Sequence, residues 1–235
     1  MNRLILIYCF LLIVYSCNTK HKKKLPNGKY KSYYESGEIK EKGVYRKGKK
    51  IDTIIKYFKD GNVKKLEIIK NGDSLKNIYY HLNGKVKSTG YSFYNKKIDW
   101  WFYYDKNGML SKKEQYLLID TLNILNQKIK VTNGNIEYSK SCFHVINNGK
   151  LKYYSPYDSK DLKLGETRFI VLKIFTEYDS LKNEIYFKNN SQIENGYYIG
   201  SSKAIIEENV FIHTDSIVDN EKAVKYIQVN QYVNW

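Results

Sequence analysis

From residue 27 onward the chain is filled with short runs in which apolar and polar positions alternate. Each run is broken by a polar cluster holding glycine or asparagine. Alternation with period two predicts half-buried β-strands, and the clusters between them predict tight turns. Gly37, Gly61, Gly84 and Gly108 lie 24, 23 and 24 residues apart. Each follows an aromatic pair: Tyr33-Tyr34, Tyr57-Phe58, Tyr79-Tyr80 and Tyr103-Tyr104. Each precedes an aliphatic residue at the second position after it, namely Ile39, Val63, Val86 and Leu110. Three features aligned across four copies define a repeat array.

The unit follows from these features. Glycine supplies the positive φ of a tight hairpin, and the aromatic residues supply cross-strand packing. A second turn closes each unit at "RKGK", "KNGD" and "YNKK". One hairpin alone is marginal in water, whereas stacked hairpins bury a shared face. Residues 27–118 are therefore expected to form four stacked hairpins in an open antiparallel sheet rich in tyrosine. Here the chain resembles the variant MORN-repeat family. The resemblance is carried by "NGKYKSYYESGEIKEKGVYRKGK" and by "KIDWWFYYDKNGML", with Ile54 and Lys76 standing where the better copies have Tyr30 and Trp100. It implies all-β repeats serving as scaffolds or binding surfaces, some members carrying an antitoxin label, and it brings no catalytic residues or cofactor.

Beyond about Thr121 the period is lost while strand signals continue. "RFIVLKIF" (Arg168 to Phe175) is almost wholly apolar, as a central strand buried on both faces would be. "CFHVI", "KLKYY", "EIYF", "YYIGSSKAII", "VFIHT" and "AVKYIQVNQYV" read as further strands, with turns at "NNGK", "SPYDS" and "KNNSQIENG". Residues 119–235 are expected to form an all-β C-terminal domain, a sandwich or small barrel.

The N-terminal end changes the picture of location. Arg3 precedes the apolar stretch Leu4 to Tyr15, too short to span a bilayer, and Ser16-Cys17 follows. Val14-Tyr15-Ser16-Cys17 resembles a bacterial lipobox, departing from it at the bulky Tyr15. It implies a signal peptide over 1–16, a diacylated Cys17 and anchoring to membrane lipid. A plain secretory signal and an uncleaved membrane anchor are the alternatives. Residues 17–26 form a basic tether, read either as a solvated spacer or as a segment drawn to anionic headgroups. The absence of an acidic cluster after Cys17 points the protein toward the periplasm. With Cys9 in the signal and Cys17 acylated, Cys142 stands alone, so an internal disulfide is excluded.

A formal charge of +16 is carried almost wholly by lysine, since Arg3, Arg46 and Arg168 are the only arginines. Codon bias toward Lys, Asn, Ile and Tyr supplies such a charge without any partner, and a polyanion partner is the competing cause. Candidate chemistry is sparse. His21, His81, His144 and His213 are scattered, with no metal-binding spacing and no cofactor motif. His81 reads as a solvated turn residue, and Glu207-Glu208 as a solvated strand end. Cys142 and His144, two apart on a strand, share a face and form the one candidate nucleophilic pair. Packing is the competing reading for that pair.

Three functional classes follow. The first is a non-enzymatic envelope lipoprotein whose repeat sheet binds a protein or envelope component. Its candidate face comprises Tyr33, Tyr34, Tyr57, Phe58, Tyr79, Tyr80, Trp100, Trp101, Tyr103 and Tyr104. The second is a polyanion- or glycan-binding envelope protein, nucleic acid being disfavoured by export and by the scarcity of arginine. The third is an enzyme using Cys142 and His144.

Overall fold

In the computed structural model the described residues are 27–156, 166–175, 180–187, 196–200, 202–218 and 221–234. The expected lipidation site Cys17, the tether with His21, and most of the "SPYDS" and "KNNSQIENG" turns lie outside them.

The fold is all-β. The first repeat comprises β1 (Gly28–Tyr33), β2 (Ile39–Arg46) and a two-residue β3 (Lys49–Lys50). The second comprises β4 (Ile54–Tyr57) and β5 (Val63–Ile69), and the third β6 (Ser74–Tyr80) and β7 (Val86–Phe93). The fourth comprises β8 (Lys96–Tyr104) and β9 (Leu110–Ile119). β10 (Leu122–Thr132) and β11 (Asn135–Ile136) continue the same sheet past the expected boundary at 118. The eleven strands run in sequence order and antiparallel, with β3 paired beside β2.

All four repeat hairpins close alike. The backbone N–H groups of Gly37, Gly61, Gly84 and Gly108 donate to the carbonyls of Tyr34, Phe58, His81 and Asp105 at 3.0–3.1 Å. The four glycines have φ between 80° and 97°, the left-handed region that a side chain resists. Directly outside each turn an aromatic faces an aliphatic: Tyr33 with Ile39, Tyr57 with Val63, Tyr80 with Val86, Tyr104 with Leu110. The ladder shifts register at each of these pairs. Counted from the glycine, the tyrosine pairs of the third and fourth repeats sit one residue earlier than those of the first two. Positions equivalent to Tyr30 and Ile54 are Asn77 and Trp101, seven residues before the glycine, and not Lys76 and Trp100.

The turns at the other ends differ. Lys47-Gly48 and Tyr94-Asn95 form two-residue loops with both residues at positive φ, the geometry that matches strand twist.

Two smaller sheets follow. β12 (Phe143–Asn147), β13 (Lys150–Tyr154) and β16 (Tyr197–Tyr198) form one. β14 (Glu166–Phe175), β15 (Leu181–Phe187), β17 (Ala204–Val218) and β18 (Glu221–Val233) form the other in the order β15-β14-β17-β18. Leu151 and Tyr153 of the first sheet pack with Ile170, Leu172, Phe187, Ile206 and Val233 of the second in one buried cluster. The C-terminal half is thus a small sandwich. Central β14 buries the consecutive residues Ile170, Val171 and Leu172, as its unbroken apolar run requires. "YYIGSSKAII" is divided, because Gly200 sits in a turn and the alanine end joins "VFIHT" in the long β17.

β10 joins the two halves. Its one edge pairs with β9, while Lys128 on the other edge bridges Cys142 just before β12. The Asn126 side chain mimics a peptide unit against β18, donating to the Tyr232 carbonyl at 2.9 Å and accepting from the Tyr232 N–H at 2.6 Å.

Candidate binding face

Pairing fixes which side chains share a face of the repeat sheet. One face carries a central row that crosses it strand by strand: Tyr30, Gly43, Ile54, Glu67, Asn77, Gly90, Trp101, Glu114. Along the second strands of the repeats this row alternates glycine and glutamate. The glycines give room to large neighbours. A Cβ on Gly90 would lie 2.5 Å from the Trp101 ring, and Trp101 is buried with its Nε1 donating to the Tyr91 carbonyl at 2.8 Å.

The glutamates gather cations. Glu67, 3% exposed, bonds Lys50 and accepts from Lys65 at 2.7 Å, with Lys56 at 3.4 Å. Burial pushes its carboxyl up, yet the bonds from Lys50 and Lys65 outweigh this and hold it down at about 2. Glu114 accepts from Lys112 at 2.7 Å and from the Tyr116 hydroxyl at 2.8 Å. Lys97 lies 4.8–5.3 Å from the ring centroids of Trp101, Tyr103 and Tyr116 and donates to the Tyr103 hydroxyl. Burial pushes its ammonium below the usual lysine range. On this carboxylate face the lysines are committed to acids and rings.

The opposite face carries Lys31, Lys42, Ile55, Leu66, Ile78, Thr89, Phe102 and Lys113 in one row. At the β8–β10 end, Trp100 packs with Ile129, Val131 and Phe143, so the start of the sandwich covers this face there. At the β1–β4 end, among the described residues, no such cover exists. A recess of about 450 Å³ opens there, flanked by Lys29, Lys31 and Lys42 over Val44, Thr53 and Ile55.

The ten aromatic residues expected on a binding face are dispersed by this arrangement. Tyr33 is exposed at 55% and Trp101 is buried at 3%. The other eight are half-buried. Tyr34 donates its hydroxyl to the Tyr57 carbonyl at 2.7 Å, and Lys42 lies over the Tyr57 ring. Lys64 lies over Phe58, Lys65 over Tyr79 at 4.6 Å, and Lys112 over Tyr103 at 4.2 Å. Tyr80 and Tyr104 face Val86 and Leu110. His81 is not a solvated turn residue. It is half-buried at the position equivalent to Tyr34, with Nε2 at 3.1 Å from the Tyr104 carbonyl.

Cys142 and His144 both approach Gln231. Its Nε2 donates to Cys142 Sγ at 3.1 Å, and its Oε1 lies 2.9 Å from His144 Nδ1. Cys142 Sγ is 3.2 Å from the Tyr153 hydroxyl, which donates to Glu208 at 2.7 Å alongside Ser155. His144 also lies 3.5 Å from Gln127, whose Nε2 donates to Gln115 of β9 at 2.7 Å. Burial pushes the His144 imidazole below its ordinary range, with the Gln231 bond opposing. The pair therefore belongs to a polar chain running from the repeat sheet into the sandwich. Glu207-Glu208 is no solvated strand end. Glu208 is fully buried in mid-strand, and Glu207 pairs with Lys173 at 2.8 Å. Nothing in the local sequence marks Glu208 as interior, and two of its donors, Tyr153 and Ser155, come from more than 50 positions away.

No protein-family model matches this chain, and a search of curated proteins finds no match.

Proposed function

We propose that this is a membrane-anchored bacterial envelope lipoprotein that acts as a non-enzymatic binding or scaffold protein through its repeat sheet. The observation that carries this reading is the single-layered sheet. Over its first repeats both faces present rows of amphipathic side chains, half-buried rings beneath lysine stems, and among the described residues the second half covers only the far end. Such a surface suits aromatic anchoring in a basic surround. The lipobox-like segment supports anchoring through Cys17, and the resemblance to variant MORN repeats supports the scaffold role.

Cys17→Ser is expected to abolish fatty-acid labelling and to release the protein from the membrane pellet. Labelling that survives would remove the anchor from the proposal. For the sheet, Tyr33→Ser is expected to weaken partner capture from membranes at unchanged melting temperature, whereas Tyr34→Ser lowers the melting temperature. Equal melting losses with intact capture would make both rings structural.

A specific observation favours polyanion binding as a second reading. Lys31 and Lys42 stand directly opposite each other on adjacent strands without an acid beside them among the described residues.

A further inference from the structure

Like charges placed directly opposite on a sheet repel and cost stability. The eleven-stranded sheet contains three such lysine pairs, two on the carboxylate face and one on the other. Lys112 faces Lys130 on the carboxylate face, with Glu114 2.7 Å from Lys112. Lys56 faces Lys65 on the carboxylate face, and Glu67 lies between them, 3.4 Å from one and 2.7 Å from the other. Lys31 faces Lys42 on the opposite face, and Lys29 adds a third cation two residues along the same strand. Among the described residues no carboxylate reaches any of these three. Among the described residues the Lys42 ammonium meets the Tyr57 ring alone, 5.3 Å away. The pairs on the carboxylate face are thus met by Glu67 and Glu114, while among the described residues the pair on the opposite face is met by no acid.

We propose that the recess on the first repeat binds a compact, multiply charged anionic saccharide, the missing counterpart of Glu67. The floor of Val44, Thr53 and Ile55 is half-buried and mostly apolar, which suits the C–H face of a sugar ring. The three ammonium groups supply point charges for sulfate, phosphate or carboxylate substituents without the planar geometry an arginine would impose. A volume of about 450 Å³ suits a ring-bearing ligand rather than a bare ion. A planar bilayer surface would meet the exposed Lys29 and Lys31 but not the half-buried Lys42 inside the recess. The recess of about 580 Å³ beside the Gly48, Gly72 and Asn95 turns is the poorer anion site, because Asp73 lines it and of its two lysines Lys50 is already bonded to Glu67. This inference rests on the reading of the repeat sheet as a binding surface.

The test is calorimetric titration of the full chain in detergent with a fully sulfated disaccharide at low ionic strength. The parent is expected to bind it. An uncharged disaccharide of the same size should not bind, and inorganic sulfate should bind about tenfold more weakly or worse. Lys42→Gln alone is expected to weaken the disaccharide by about tenfold, a loss on the scale of one charge-assisted contact. Combined Lys70→Gln, Lys87→Gln and Lys106→Gln, removing three distant charges, should change affinity less than about threefold. Lys31→Thr should weaken binding while leaving the melting temperature unchanged or raised, since it relieves the repulsion.

Equal losses from the distant triple and from Lys29, Lys31 and Lys42 would reduce the effect to diffuse charge and overturn the site. A melting temperature lowered by Lys31→Thr would make the lysine structural and overturn it too. Loss of binding to phosphatidylglycerol vesicles in Lys29→Gln and Lys31→Gln, with no disaccharide binding in the parent, would replace the saccharide by a membrane contact. Failure of the titration with partner capture intact leaves the scaffold reading standing. Capture indifferent to every sheet variant removes that reading itself.

Discussion

At the residue scale, Glu67 decides more than any other side chain of the repeat sheet. It is buried among Lys50, Lys56 and Lys65, which would otherwise repel one another. Its folded pKa of about 2 lies below the ordinary glutamate value. A carboxylate depressed in this way contributes stability that is complete above about pH 4.5 and is lost as pH falls toward 2. Glu67→Gln is expected to cost about 2–4 kcal/mol in urea unfolding at pH 7, because it leaves Lys50 and Lys65 without their anion and Lys56 with Glu41 alone. The same substitution should flatten the fall in melting temperature between pH 4.5 and 2. An unchanged acid slope in the variant would place the acid sensitivity elsewhere. His144 is likewise held below its ordinary range, here by burial of the neutral ring. Burial holds its imidazole neutral in the fold, so protonation in the unfolded chain withdraws stability as pH drops below about 6.5.

At the scale of the element, the repeat is a hairpin that also reaches its neighbour. Tyr34 opens the first turn and donates to the carbonyl of Tyr57 in the second repeat, and His81 opens the third turn and contacts the carbonyl of Tyr104 in the fourth. Asn83 and Lys85 add bonds to the carbonyls of Lys106 and Asn107 in the same step. Phe58 holds the equivalent place in the second turn and has no group to donate. Phe58→Tyr therefore supplies the missing rung toward the Tyr80 carbonyl. It is expected to stabilise the protein by about 0.5–1 kcal/mol, with slower hydrogen exchange in the second and third hairpins. Unaltered exchange there would mean that the turns stack without needing this bond.

For the whole molecule, the decisive feature is that the repeat sheet does not end as a free edge. β10 hands its outer edge to the strand that begins the sandwich, and the Asn126 clasp holds β18 across 106 residues of sequence. Covering an edge in this way removes a template for aggregation. Asn126→Ala deletes three part-buried bonds, two to Tyr232 and one to Gln115, and is expected to cost about 2–3 kcal/mol. It should also separate the unfolding of the sheet from that of the sandwich, read by hydrogen exchange in each half across a denaturant series. Coincident unfolding in the variant would show that the Gln115–Gln127–His144–Gln231 chain suffices to couple them.

What was legible in the sequence is what acts over a few residues. Turn glycines with their polar neighbours, the alternation of strands, the aromatic-before and aliphatic-after signature, and the apolar run of β14 all depend on local chemistry. They specified four hairpins and an all-β second half. Which ring lies on which face was not local. It depends on cross-strand pairing and on the register shift at each turn. That shift falls at the same place in all four repeats, while the tyrosine pairs of repeats three and four stand one residue earlier in the sequence. The burial of Glu208, the seat of His81 against Tyr104, and the Gln231 bridge between Cys142 and His144 also required partners brought from distant strands. So did the contrast between the lysine pair that Glu67 neutralises and the pair at Lys31 and Lys42 that no described acid reaches. A lysine reads the same in every strand of this chain, and only cross-strand pairing determines whether an acid of the fold meets its charge.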